Sequence, residues 1–172
     1  MSIKVVEITL ISCEGLTTPD NHRPLKKHAR GVIRTPQSAS VVRSTSLDRH
    51  GGAYPRWDER FTVEMPAWAR WLDVEVWSGM ERLIGTARVP ASDFSGGIVP
   101  DGYLNFLSYR LREGNGEFNG IVNVSVRVVG RKLESRNGAG FGCALGVPGR
   151  VVTGIPVSNT NSPSKTTFKN VV

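Results

Sequence analysis

The 172-residue chain has little cysteine: Cys13 and Cys143 are its two thiols, and they lie far apart in unlike sequence surroundings. This scarcity argues against a disulfide framework and against a thiol-rich zinc site, and it favours a reducing compartment such as the cytosol. Long apolar runs are also missing, because no stretch approaches the roughly 20 residues that a membrane-spanning helix needs. The first residues lack the basic start and the small-residue cleavage site of a signal peptide, so we expect none.

Patterns typical of catalysis and metal binding are equally scarce. The three histidines, His22, His28 and His50, do not have the ligand spacing of zinc sites. No serine, cysteine or paired-carboxylate arrangement of the kind that activates a nucleophile is present, so we predict that the protein is not an enzyme. Nucleic-acid-binding motifs, and aromatics interleaved with the basic residues, are also missing, which argues against a nucleic-acid partner.

Helical periodicity is absent over any long stretch, whereas eight short runs carry strand signals. The clearest run, 120–129, places valine at every second position, as expected for a sheet with one buried face. The predicted strands are 3–12, 29–35, 40–45, 60–65, 71–77, 83–89, 103–111 and 120–129, with a single turn over 91–94. Eight strands in about 130 residues predict an all-β antiparallel sandwich.

The composition changes at Gly130, after which glycine, proline, serine and asparagine dominate. Such a segment has too few large apolar side chains to offset the entropy of ordering the chain. We therefore predict a domain over residues 1–130 and a basic, flexible tail over 131–172.

Positive charge is concentrated in one part of the chain. The net charge is +7, and residues 21–56 alone contain eight basic side chains against a single acid, Asp48. A local field of this kind attracts anionic lipid, nucleic acid or an acidic protein, although a solvated surface without a partner gives the same composition.

Four segments resemble the C2 domain family in their order and spacing. They are IKVVEITLISCEGL (3–16), YPRWDERFTVEM (54–65), WLDVEVWS with LIGTARVP (71–78 and 83–90) and LNFLSYRLREGNGEFNGIVNVSVRV (104–128). The last is similar to the ending of small plant C2 proteins of the BONZAI-associated, copine-interacting type and of the cold-responsive type. The resemblance implies an eight-stranded sandwich with phospholipase-type topology, with three loops at one tip.

Calcium-binding members of this family hold the ion with aspartates of the first and third tip loops. Asp20 matches the first of these ligands, but His28, Ser78 and Met80 stand where further carboxylates are expected. Glu81 is the only carboxylate left in the third loop. Because calcium takes six to eight oxygen ligands, we expect at most a weak remnant site at Asp20 and Glu81, and no other cofactor.

A basic loop replaces the missing acids. The segment RPLKKHAR, residues 23–30, carries four permanent positive charges and one titratable histidine. The resemblance also implies a basic concave face on neighbouring strands. The candidate lipid-binding residues are Arg23, Lys26, Lys27, Arg30, Arg34 and Arg43. Each basic group near an anionic leaflet contributes about 1 kcal/mol, so we expect membrane binding with little calcium dependence.

The leading hypothesis is a monomeric, cytoplasmic C2 adaptor that associates peripherally with the plasma membrane. The resemblance implies a plant regulator of defence responses and programmed cell death that acts with a copine. Two alternatives remain open: a module that uses its basic loop only on an acidic protein, and a weakly calcium-dependent lipid binder.

Overall fold

A computed structural model describes residues 2–36, 43–79 and 82–133. This part of the chain forms eight antiparallel strands and one 3-10 turn, Ala91–Asp93. The strands are β1 (Ser2–Glu14), β2 (Ala29–Arg34), β3 (Arg43–Ser44), β4 (Arg56–Pro66), β5 (Trp71–Ser78), β6 (Arg82–Pro90), β7 (Asn105–Arg112) and β8 (Phe118–Leu133). No helix of the described ranges is long and apolar enough to cross a membrane.

The strands follow the order β3-β2-β5-β6-β7-β8-β1-β4. In the middle of this order, β6 and β7 are paired at only one position, where Thr86 stands opposite Arg112. The order therefore divides into two four-stranded layers, β3-β2-β5-β6 and β7-β8-β1-β4, which enclose the core. The predicted all-β sandwich with phospholipase-type topology is confirmed.

Alternating side chains fill the space between the layers. Leu72, Val74 and Val76 of β5 are fully buried, as are the alternate valines of β8. Trp57 joins the layers, because its indole Nε1 on β4 donates a hydrogen bond to the Ala29 carbonyl of β2 at 3.1 Å. The period of two that predicted these strands thus reflects one buried face in each layer.

The largest differences from the predicted boundaries lie in three strands, and the other boundaries shift by at most two residues. β4 begins at Arg56, four residues early, because Asp58 adopts a φ of +52° and the register with β1 shifts there, which interrupts the alternation. β8 continues three residues beyond Gly130, to Leu133. β3 contains only Arg43 and Ser44 of the predicted run 40–45, whose first three residues lie outside the described ranges. The predicted tail lies outside them from residue 134 onward.

Candidate functional site

Three loops meet at one end of the sandwich, as expected for the tip of this fold. The β1–β2 loop contacts the β3–β4 loop through a hydrogen bond from the Leu16 N–H to the Ala53 carbonyl, 3.0 Å long. The β5–β6 loop joins them where the Gly79 N–H donates to the His28 carbonyl at 2.9 Å. The backbone therefore fixes the relative positions of the three loops.

The first loop is held in one conformation by a buried leucine and by local hydrogen bonds. Leu25 is buried, and its N–H donates to the Leu16 carbonyl at 2.9 Å. Across the loop, the Thr18 N–H donates to the Arg23 carbonyl at 2.9 Å, and the Thr18 hydroxyl donates to the Asn21 side chain at 2.7 Å. These contacts close the loop, so the side chains beside Leu25 must point away from the core.

The basic side chains beside Leu25 are exposed and have no acidic partner within the described ranges. Arg23, Lys26 and Lys27 all face solvent. None of them takes part in an ion pair with any residue that the structure describes. The second loop adds exposed Arg49, whose carbonyl lies 3.1 Å from His28 Nδ1. Arg49 is not among the sequence-predicted candidates, although its place in the basic stretch 21–56 could have identified it.

The one acid of that basic stretch is bound to backbone. The Asp48 carboxylate accepts hydrogen bonds from the N–H groups of His50 (2.8 Å), Gly51 (3.0 Å) and Arg56 (2.8 Å). Burial raises the pKa of Asp48, but these donors together outweigh it and hold the pKa below its ordinary value. Asp48 is therefore charged, and its oxygens are directed into the second loop.

Asp20, the expected first calcium ligand, is paired with a cation of the protein. Its exposed carboxylate contacts the guanidinium of Arg82 at the start of β6. This hydrogen bond lowers the pKa of Asp20 and raises that of Arg82. Glu81 lies outside the described ranges, and within them no group of three or more acidic, histidine or cysteine side chains could hold a metal ion. The described residues do not form a site that fits calcium.

The arginines of β2, Arg30 and Arg34, lie on the outer face of the sheet, where Arg34 pairs with an acid. The Nε atom of Arg34 lies 2.6 Å from Glu75 Oε1 on β5, and the other oxygen of Glu75 accepts a 2.8 Å bond from Trp77 Nε1. Arg30 stands opposite Trp77 in the register, and its Nε is buried without a hydrogen-bond partner among the described residues. This face thus carries less net positive charge than its arginines suggest.

Arg43 does not join Arg30 and Arg34. The register pairs exposed Arg43 with Ile33, whose side chain faces the core, whereas Arg30 and Arg34 alternate with Ile33 along β2. Residues paired across antiparallel strands share a face, so Arg43 belongs to the other side of the sheet. The structure therefore brings Arg23, Lys26 and Lys27 together at the tip but separates them from Arg34 and Arg43.

Asn119 links the first tip loop to the β7–β8 hairpin. Its amide mimics a strand partner for Thr17: Oδ1 accepts from the Thr17 N–H at 2.9 Å, and Nδ2 donates to the Thr17 carbonyl at 2.9 Å. Nδ2 also donates to Glu113 Oε1 at 2.7 Å, and the two side chains belong to residues only 2% and 7% exposed. No local sequence signal marks this contact, because 102 residues separate Asn119 from Thr17.

Comparisons with known proteins agree with this geometry. The profile of the C2 domain matches residues 4–106. BON1-associated protein 2 from Arabidopsis thaliana is 43% identical over 130 residues, which cover 72% of this chain and 60% of that protein. The chain thus spans less than two thirds of its relative's length.

Solved C2 structures superpose on the chain at low identity. A C2 domain-containing protein has a TM-score of 0.58 at 16% identity, over 73% of this chain and 88% of that one. A C2 domain of plant Extended Synaptotagmin 1 has a TM-score of 0.54 at 14% identity, over 72% and 92%. Human GIVD cytosolic phospholipase A2 has a TM-score of 0.51 at 10% identity, over 74% of this chain and 18% of the enzyme. At these identities the likeness shows the fold.

Proposed function

Because the chain belongs to the C2 domain family, we propose that it is a non-catalytic adaptor that binds anionic phospholipid through its tip with little calcium dependence. One observation carries the proposal: Arg23, Lys26 and Lys27 are exposed on a loop that Leu25 anchors, and no acid of the described residues pairs with them. Their field is therefore directed outward, where it attracts an anionic surface.

The expected strength of this interaction is modest and depends on salt. Each basic group contributes about 1 kcal/mol near an anionic leaflet, so the three loop cations with Arg49 supply about 4 kcal/mol. Because the loop is already held by backbone hydrogen bonds, little of this energy is lost in ordering it on binding. Screening over about 8–10 Å at physiological ionic strength should weaken the adsorption as salt rises.

Little calcium dependence is proposed because a protein cation already contacts the expected ligand. In a calcium-binding tip, carboxylates of two loops converge on the ion and need its charge. Here the Arg82 guanidinium, carried by the strand that follows the third loop, contacts Asp20 of the first loop. Calcium would have to displace Arg82 and would then find too few oxygens.

The partner and the biological role are proposed from the family relationship. The similar Arabidopsis thaliana protein is named for its association with BON1. We extend that association to this chain, as a cytoplasmic adaptor for a BON1-type copine at the plasma membrane, with a role in restraining plant defence responses and cell death.

Vesicle sedimentation tests the lipid site with two matched double variants. K26Q/K27Q removes two loop charges that have no acidic partner among the described residues, whereas R56Q/R60Q removes two exposed charges from β4 and gives the same net charge. On phosphatidylserine/phosphatidylcholine vesicles, we expect K26Q/K27Q to lose about 2 kcal/mol, or roughly thirtyfold in partitioning. R56Q/R60Q should bind nearly as the wild type does, and chelator should change neither result.

Three results would contradict the proposal. Equal loss in both variants would mean that net charge alone drives adsorption. Binding abolished by chelator would identify the weakly calcium-dependent alternative. Absence of sedimentation at low salt would favour a module that uses its basic loop on an acidic protein only.

A further inference from the structure

A groove follows the seam between the two layers, and none of the basic-loop residues 23–30 is among those that line it. β6 and β7 form one ladder pair, Thr86 opposite Arg112, and separate on either side of it. They can approach there because Gly85 has no side chain: a Cβ atom would lie 3.0 Å from Leu111 Cβ and 3.1 Å from the Arg112 carbonyl oxygen. The groove has a volume of about 480 Å³, with Arg88 on its β6 side and Tyr109, Arg110 and Arg112 on its β7 side.

Two arginines beside this groove share one aromatic ring. The guanidinium carbons of Arg110 and Arg112 lie 4.7 and 4.2 Å from the centroid of Phe118, which is 49% exposed. Arg110 and Arg112 alternate on the outer face of β7, and Phe118 pairs with Arg112 across the hairpin. Contact with a ring face restrains a guanidinium without using its N–H groups. Arg112 Nη1 donates to the Gly116 carbonyl at 3.3 Å, which leaves its other N–H groups available to a ligand.

The acids around the groove already have partners. Asp73 accepts a 3.2 Å bond from Arg88, which also lies over the Trp71 ring at 4.5 Å. Glu113 accepts from the Asn119 amide, and the Tyr109 hydroxyl donates to Asp93 at 2.6 Å. In contrast, Arg110 and Arg112 take part in none of the ion pairs among the described residues.

We propose that this groove is a second binding site, for an acidic peptide segment of a protein partner whose carboxylates meet Arg110 and Arg112. The charge is complementary, since a guanidinium presents a planar fork that fits a carboxylate with two hydrogen bonds. A peptide is favoured over a lipid surface because Asp73 and Glu113 line the same groove. These two acids against Arg88, Arg110 and Arg112 leave the lining a net charge of +1, which attracts a continuous anionic surface only weakly, whereas a peptide can place its carboxylates on Arg110 and Arg112 alone. The site lies beyond the proposed lipid function and uses none of the loop cations.

The test uses the full chain and a fluorescein-labelled peptide of alternating glutamate and threonine, followed by fluorescence anisotropy. We expect saturable binding that is lost when glutamine replaces every glutamate of the peptide. R110Q/R112Q should weaken binding by about tenfold or more, whereas the charge-matched R56Q/R60Q and the loop variant K26Q/K27Q should stay within about twofold of the wild type. Phe118→Leu should weaken binding with all charges in place.

The double variant R110K/R112K keeps the proposal testable even if R110Q/R112Q does not fold. If thermal unfolding shows that R110Q/R112Q is not folded, R110K/R112K keeps the charge but removes the planar fork, and it should still weaken binding by about threefold or more. Equal weakening by R110Q/R112Q and R56Q/R60Q would overturn the proposal, as would a failure of the glutamate peptide to saturate. The proposal would also be overturned if R110Q/R112Q no longer adsorbed to phosphatidylserine vesicles but still bound the peptide as the wild type does. If K26Q/K27Q still sediments with the vesicles as the wild type does, that result contradicts only the proposed lipid site.

Discussion

Replacing Asn119 should show how strongly the first tip loop depends on the β7–β8 hairpin. Asn119→Ala removes three hydrogen bonds at once: two to the backbone of Thr17 and one to Glu113. The N–H and C=O of Thr17 and the Glu113 carboxylate would then lack their partners. Glu113 is almost fully buried, so water replaces its lost bond poorly.

The loss can be estimated from these groups. A buried polar group left without a partner costs about 1–3 kcal/mol, and a charged one lies at the upper end of that range. Thr17 is partly exposed and can recover some hydrogen bonding to water. We therefore expect Asn119→Ala to lower the free energy of unfolding by about 3 kcal/mol, which lowers the Tm of a domain of this size by roughly 10 °C.

Urea unfolding followed by tryptophan fluorescence provides the measurement, with Asn115→Ala as the control. Asn115 lies in the same hairpin but is exposed. Its Oδ1 accepts a 2.9 Å bond from the Glu117 N–H, and its Nδ2 donates a 3.2 Å bond to the exposed Glu117 carboxylate. Because water can replace both bonds, their loss should cost about 0.5–1 kcal/mol. If the two alanine variants agree within about 0.5 kcal/mol, the Asn119 amide does not hold the loop and the reasoning fails.

Two further predictions concern the second tip loop. Gly52→Ala should lower the free energy of unfolding by about 2–3 kcal/mol, because residue 52 has a φ of +54° and a Cβ would lie 2.8 Å from the Leu25 carbonyl oxygen. Gly15 has a φ of +66° but open space around it, so Gly15→Ala measures the cost of the positive φ without a steric clash. In a urea assay this variant should lower the free energy of unfolding by only about 1 kcal/mol. The pKa of Asp48 is lower in the folded protein than in the unfolded chain, where it is about 3.9. The Asp48 carboxylate therefore stabilises the fold at pH values above the unfolded pKa, and this contribution is lost as the pH falls through the folded pKa. Wild type should therefore lose more stability than Asp48→Asn between about pH 5 and pH 2 in acid titrations of unfolding, and parallel curves would contradict this assignment.

The strands could be predicted from the sequence wherever one face is buried. β5 alternates throughout and β8 buries every second residue over 122–128, so their inward valines and leucine can be identified from the pattern alone. The start of β4 could not be predicted in this way. The positive φ of Asp58 breaks the period of two, and nothing local marks an aspartate that will adopt it.

The tip could be predicted in composition but not in its pairing. The density of basic residues in 21–56 is local information, and it locates the exposed cations of the first loop. The partner of Asp20, however, is 62 residues away at Arg82, and the partner of Arg34 is 41 residues away at Glu75. Such contacts depend on which strand ends the fold brings together, so a single sequence read in windows does not show them.

Pairing, rather than the number of basic residues, decides which surface presents positive charge. Three acids in the described part of the tip are engaged by other groups: Asp48 by backbone N–H groups, Asp20 by Arg82, and Glu117 by His22 at 3.5 Å. The loop cations keep their outward field as a result. On the outer face of β2 the reverse holds, because Glu75 lies close enough to Arg34 to cancel its field within a Debye length. An approaching anionic membrane therefore meets uncompensated charge at the tip, which is why the proposed lipid contact is assigned there and not to the arginine-bearing sheet.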